Sequence, residues 1–84
     1  MTFKYIVFEP VQTKRRTRIW TCRNISSGAT IGTVKWHGAW RQYCFFPHSD
    51  TVFSKGCLED IGTFLNEQMA ARRKRRRKRE ESGL

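Results

Sequence analysis

A run of eight consecutive cationic side chains, from Arg72 to Arg79, sets the main limit on what this chain can fold into. Like charges at this spacing repel one another, and a core cannot bury them, so the fold must be built from the preceding residues. We therefore predict one small sheet-and-helix domain over residues 1–71. Residues 72–84 are predicted to form a polybasic tail, either a helical extension or disordered. A body of about 70 residues holds one modest core.

Segments rich in β-branched and aromatic residues dominate the first half of the chain. They predict strands over residues 3–9, 17–23, 30–36 and 40–46, with turn-forming residues between them. Pro10 and Pro47 are predicted to stop the first and last strands. The links are short, so consecutive strands should pair as an antiparallel meander.

The hydrophobic period changes after Ser54, which is a plausible N-cap. Apolar residues then recur at spacings of one, three and four, as on one face of a helix: Cys57, Leu58, Ile61, Phe64, Leu65 and Met69. Gly62 interrupts this pattern. The predicted fold class is α+β, an antiparallel meander of three to four strands with one C-terminal helix packed on one face.

Alternation assigns the strand residues to two faces of the sheet. The face under the helix is predicted to hold Trp20, Cys22, Gly32, Val34, Trp36, Trp40, Gln42, Cys44 and Phe46. The open face is predicted to hold Ile19, Thr21, Arg23, Ile31, Thr33, Lys35, Arg41, Tyr43 and Phe45. Such a face suits nucleic acid, but it equally suits a merely solvated surface. A bulge at Gly32 would exchange the two faces beyond it.

The charge is strongly positive in both parts of the chain. Residues 72–84 carry eight basic and two acidic groups, for +6, and residues 1–71 contribute the remaining +4 of the net +10. Nucleic acid is the obvious polyanionic partner, although a solvated solubility tail is the simpler alternative. The predicted contacts are the cations of the first turn, the open face and the tail: Lys14, Arg15, Arg16, Arg18, Arg23, Lys35, Arg41, Tyr43, Arg72, Arg73, Lys74, Arg75, Arg76, Arg77, Lys78 and Arg79.

Catalytic and metal sites find little support in the sequence. The three cysteines are odd in number and form no close pair, which favours reduced thiols and an intracellular location: cytoplasm, nucleoid or a eukaryotic nucleus. His37, Cys44, His48 and Cys57 lack the paired spacing of a zinc site. Cys44 is predicted to be buried and inert. We predict no enzyme activity, no cofactor, no metal and no membrane partner.

The segment from Ile31 to Leu65 resembles the small sheet-plus-helix DNA-binding domains of plant ethylene-response regulators and of the N-terminal parts of phage-type integrases. Trp36 and Trp40 bracket Gly38, and an alternating strand and an amphipathic helix follow. In those families a three-stranded sheet enters the major groove. The resemblance implies that Arg23, Lys35, Arg41 and Tyr43 are the matching contact positions.

Two main functions compete at this point. The first is a nucleic-acid-binding module, with DNA favoured over RNA, that uses a basic sheet face and a polycationic tail. The second is a small protein-interaction module or inhibitor that docks on an acidic or nucleic-acid-binding surface of a partner. A nucleic-acid-binding subunit of a larger assembly is a third alternative. The small size also suits a phage or mobile-element protein.

Overall fold

The computed structural model describes residues 3–82, with side chains described through Arg75. Four strands precede one helix: β1 (Ile6–Val11), β2 (Ile19–Asn24), β3 (Thr30–His37), β4 (Gln42–Pro47) and α1 (Lys55–Ser82). The strands form one sheet in the order β1-β2-β3-β4, and each neighbouring pair is antiparallel. The predicted α+β meander with one C-terminal helix is confirmed.

The two prolines lie inside the edge strands of the sheet. Pro10 pairs with Trp20 within β1, and Pro47 pairs with Gly32 at the end of β4. An edge strand tolerates proline because only one side of its backbone is paired. Our prediction that the prolines lie beyond the strands therefore placed both boundaries too early.

The core lies between the sheet and the first half of α1. Phe64 is fully buried, and its ring stacks on Phe8 with the two centroids 3.9 Å apart. The ring of Trp20 meets Phe64 edge-on at 5.0 Å. Such aromatic contacts add to the free energy gained from burying the rings. Ile6 and Val34 complete the buried layer beneath them.

The helix begins as predicted, but its buried face is slightly rotated. The Ser54 hydroxyl accepts a hydrogen bond from the Cys57 N–H at 3.2 Å, which confirms Ser54 as the N-cap. Cys57, Ile61 and Phe64 are buried, whereas Leu58 is 56% exposed. The spacing of the buried residues centres the face away from Leu58, so our prediction that Leu58 packs on the sheet is wrong.

A β-bulge accommodates Ile31 in β3. Cys22 pairs with Gly32 and Arg23 pairs with Thr30, which leaves Ile31 as the extra residue. Ile31 belongs to the buried core, so its predicted place on the open face is wrong. A side chain at Gly32 would collide with the ring of Phe45 on the neighbouring strand.

The faces of β4 are the reverse of those predicted. Phe45 pairs with Val34, and Tyr43 pairs with Trp36, so both side chains lie on the helix side of the sheet. Cys44 lies on the open face instead. The error came from starting the strand at residue 40: residues 38–41 form a turn, in which Arg41 has a left-handed backbone with φ of 53°.

Candidate nucleic-acid interface

Three basic segments meet at one end of the molecule. In an antiparallel meander, the β1–β2 loop (residues 12–18) and the β3–β4 turn (residues 38–41) lie at the same end of the sheet. The helix α1 runs towards this end, since Met69 Sδ lies 3.4 Å from the Tyr43 N–H nitrogen and Arg72 lies over Trp36. We call this region the basic end. Its described cations are Lys14, Arg15, Arg16, Arg18, Arg41, Arg72, Arg73, Lys74 and Arg75.

The opposite end of the molecule carries acidic groups. Asp50 follows β4, and Glu59 and Asp60 lie in the second turn of α1. The Asp60 carboxylate accepts a hydrogen bond from the Tyr5 N–H at 2.8 Å, which ties the N-terminal segment to the helix. Lys4 and Lys55 lie at this end too, so its charges nearly balance, whereas cations predominate at the basic end. Such an asymmetry of charge orients a protein as it approaches a polyanion.

Tyr43 supports the basic end from inside. It is only 3% exposed, and its ring contacts Trp20 and Trp36 edge-on. Its hydroxyl accepts a hydrogen bond from the Arg18 N–H at 3.2 Å, which fixes the end of the β1–β2 loop against β4. Our prediction that Tyr43 lies on the open face is wrong, because the turn at residues 38–41 shifts the phase of the strand.

Arg72 marks the point where α1 leaves the sheet. Its guanidinium lies 4.2 Å from the centroid of the Trp36 ring, a cation–π geometry, and the side chain is half-buried. The next three cations, Arg73, Lys74 and Arg75, are exposed. Arg76, Arg77, Lys78 and Arg79 were also predicted as contacts, but their side chains lie outside the described residues.

The open face does not present the predicted row of cations. Lys35 lies opposite Ile19 and Arg23 opposite Thr30, so the two are separated by roughly 13 Å along the strands. Arg23 forms an ion pair with Glu9, and Lys35 lies 4.6 Å from the centroid of the Phe46 ring. Arg41 is not on this face. The prediction that Arg23 and Lys35 lie on the open face is therefore confirmed, whereas the prediction for Arg41 is wrong.

Arg41 belongs instead to the helix side of the basic end. It lines a cavity of about 120 Å³ together with Trp36, Met69, Arg72 and Arg73. Three of the five residues that line this small space are arginines. Guanidinium groups bind phosphate oxygens in a fork geometry, so the cavity is suited to a phosphate group.

A larger groove of about 430 Å³ adjoins this cavity between β4 and α1. Met69 lines both, so the two spaces are neighbours. The residues that line the groove are Trp40, Gln42, Tyr43, Cys44, Phe45, Gly62, Leu65, Asn66 and Met69. The sequence analysis missed Trp40, Gln42 and Asn66 as candidate site residues. The sequence signal nearest to them is Gly62, a glycine inside an otherwise regular helical pattern, four residues before Asn66.

The thiols differ in their surroundings. Cys22 is fully buried, and burial raises the pKa of its thiol to about 12, although a backbone hydrogen bond at Val34 acts in the opposite direction. Cys44 is half-exposed, so its predicted burial is wrong. Among residues 3–75, whose side chains are described, no cluster of three or more His, Cys, Asp or Glu side chains is arranged to hold a metal ion.

Within the described part of the chain, no helix is both long enough and apolar enough to cross a membrane.

Comparison with known proteins gives one relevant similarity. Over 50 residues, 60% of its length, the chain is 34% identical to an uncharacterized 9.3 kDa protein of Acholeplasma phage L2. The match covers 64% of the phage protein. No family model matches the chain, and no solved structure matches it. The similarity is therefore to a phage protein whose name states only its mass.

Proposed function

We propose that this protein binds nucleic acid through its basic end. The observation that carries the proposal is the meeting of two cationic loops and the basic part of α1 at one end of the sheet. Residues separated by more than 50 positions in the chain, Lys14 and Arg72 among them, thus form one surface of a single sign. Phosphate contacts at such a surface release counterions, and this release drives binding.

The shape of the helix favours duplex DNA as the first polymer to test. Its 28 residues give a length of about 42 Å, which exceeds the strands beside it, and the molecule measures 49 × 22 × 22 Å. The stretch after Arg72 therefore projects beyond the sheet. The major groove of B-form DNA admits an α-helix, whereas the groove of A-form RNA is too narrow.

The similarity to a phage protein supports a further part of the proposal, that the chain has a phage or mobile-element origin. An intracellular location follows from this proposal, since nucleic acid is the partner.

The direct test is a salt-titrated binding assay with duplex DNA, single-stranded DNA and RNA. We expect a steep fall of affinity with salt on at least one polymer, because each neutralised phosphate contributes to the slope. Arg73→Gln should reduce the slope of log affinity against log salt by about one, the value for one lost phosphate contact. Lys55→Gln is the matched control, since Lys55 is an exposed helix cation at the acidic end, beside Glu59. Equal effects of the two substitutions would contradict a role for the basic end.

The protein-interaction alternative uses the same surface. A small inhibitor could place the basic end against an acidic protein surface instead of a phosphate backbone. If none of the three polymers binds at low salt, the nucleic-acid proposal fails and this alternative takes its place.

A further inference from the structure

Gly62 lies in the middle of a helix without a packing reason to be there. A Cβ atom built at this position meets nothing within 4 Å. Glycine inside a helix lowers stability relative to alanine, because it gains more conformational freedom on unfolding. The chain therefore carries a destabilising residue that the folded structure does not require.

Two other glycines show the contrast. A Cβ at Gly56 would collide with the ring of Tyr5, and a Cβ at Gly32 would lie 2.5 Å from the ring of Phe45. Both positions are glycine because a neighbouring ring occupies the space. At Gly62 the space is the groove between α1 and β4. The absence of a side chain keeps that groove open.

The groove combines an apolar floor with an aromatic wall and two amides. Leu65 and Met69 are half-buried, while Trp40 is 68% exposed. The rings of His37 and Trp40 meet at nearly a right angle with centroids 4.9 Å apart, so the Trp40 ring has one packing contact despite its exposure. Asn66 is exposed on the α1 side of the groove, and Gln42 borders the groove at the free edge of β4, so both amides supply neutral donors and acceptors there.

Phosphate-binding groups lie where the groove ends. Gly62, Leu65, Asn66 and Met69 lie on one stripe of α1, and the next turn on that stripe brings Arg72 and Arg73. These two arginines and Arg41 line the adjoining cavity. An apolar slot with an aromatic wall, amides and nearby guanidinium groups matches the parts of a nucleotide.

We propose that the groove between β4 and α1 holds one unpaired nucleobase of a bound strand. The base stacks on Trp40, its edge meets Gln42 or Asn66, and the adjacent phosphate lies between Arg41, Arg72 and Arg73. This inference rests on the proposed function: the cationic stretch of α1 still meets the phosphate backbone, and the groove takes one base that is not paired, since a duplex covers the edges and faces of its bases.

The test compares two labelled oligonucleotides of about ten units, a size that suits a small single-strand site. One is oligothymidylate and the other is an abasic strand with the same phosphates. The wild-type protein should bind the thymidylate about five- to 150-fold more tightly, the range that stacking of one base gives. Gly62→Leu fills the groove, so it should remove this preference while leaving abasic binding and the salt slope unchanged.

Two further variants serve as controls. Gly62→Ala adds only a Cβ, so it should keep the preference and raise the melting temperature. Trp40→Ala should lose the preference. Val52→Ala should keep it, because Val52 is also an exposed apolar residue, at 92%, but lies at the other end of the molecule. Melting curves establish that each variant is folded.

The outcomes separate the two proposals. If the wild-type protein binds both oligonucleotides equally and with steep salt dependence, no base occupies the groove, but the nucleic-acid proposal stands. If Gly62→Leu retains the preference, the groove is likewise not the base site. If neither oligonucleotide nor any duplex binds at low salt, both proposals fail.

Discussion

The two halves of α1 differ in what surrounds them. The first half packs on the sheet through Cys57, Ile61 and Phe64, and its polar side chains are mostly uncharged or acidic. The second half begins at Arg72, which still contacts Trp36, and then presents exposed cations. Most helical stability in proteins comes from tertiary packing. The packed half thus holds the second half in position, and the second half can be devoted to charge.

The largest expected effect on the packed half comes from Phe64→Ala. The Phe64 ring is fully buried and contacts Phe8 and Trp20, so we expect a loss of about 3–5 kcal/mol in the free energy of unfolding. This is a large share of a small domain's stability. The matched control is Leu58→Ala, because Leu58 is exposed on the same helix and its loss should cost under about 0.5 kcal/mol. Chemical denaturation would reveal the difference, and similar losses would show that the helix packs through another face.

Removal of residues 73–84 tests the second half. The truncation keeps Arg72 on Trp36 but deletes seven of the chain's cations. We expect affinity for DNA to fall at least about tenfold, with a shallower dependence of log affinity on log salt, because fewer phosphates are neutralised. The melting temperature should stay almost constant. An unchanged salt slope would exclude this stretch from the binding site, and a large drop in melting temperature would show that the two halves are not independent.

The pH dependence of stability tests whether water is excluded from the core under the packed half, where Cys22 lies. Burial favours the neutral, protonated thiol of Cys22 and raises its pKa from 9.0 to about 12. Between these values the unfolded chain has lost a proton that the folded protein keeps. The contribution of the Cys22 thiol to the free energy of unfolding is therefore complete below pH 9. Above pH 9 this contribution falls by at most about 1.4 kcal/mol per pH unit.

Denaturation at pH 8 and pH 10 would measure this loss. Cys22→Ala should be less stable at pH 8 but should lose less stability on going to pH 10. Cys44→Ala is the control, since Cys44 is half-exposed on the open face. If both variants keep the wild-type pH dependence, the Cys22 thiol is not responsible.

The smallest expected effect lies at the junction of the two halves. Arg72→Gln removes the cation–π contact with Trp36 and should cost about 0.5–1 kcal/mol of stability. Arg73→Gln changes the same charge one residue further along, at an exposed position, and should leave the melting temperature unchanged. If the difference in melting temperature between the two variants does not depend on salt, the packed half ends at Arg72.

Much of the fold was predictable from periodicity, but the phase of individual strands was not. The change from period two to a helical spacing after Ser54 predicted the order of the elements. The faces of β4 depended on whether Trp40 belonged to the strand or to the turn, and a left-handed residue at Arg41 leaves no mark in an alternation pattern. The bulge at Ile31 likewise depends on pairing with β2, a non-local contact.

The candidate site was predictable only in part. The basic residues are evident in the sequence, and the parity of a meander already places its first and third connections at one end. The direction of α1 across the sheet was not evident, and that direction brings Arg72 to Arg41. The groove beside Gly62 depends on the distance between the helix and β4, which no local pattern encodes.

The sheet edges bear on how copies of the protein would behave if the proposed binding crowds them on one polymer. Exposed edge strands readily pair with one another and lead to aggregation. Here Pro10 and Pro47 remove backbone donors from β1 and β4, and Met69 already covers the Tyr43 N–H on the outer side of β4. Neighbouring copies therefore lack a continuous edge along which to add strands. A protein that concentrates itself on a polyanion can in this way reach high local density without polymerising through its sheets.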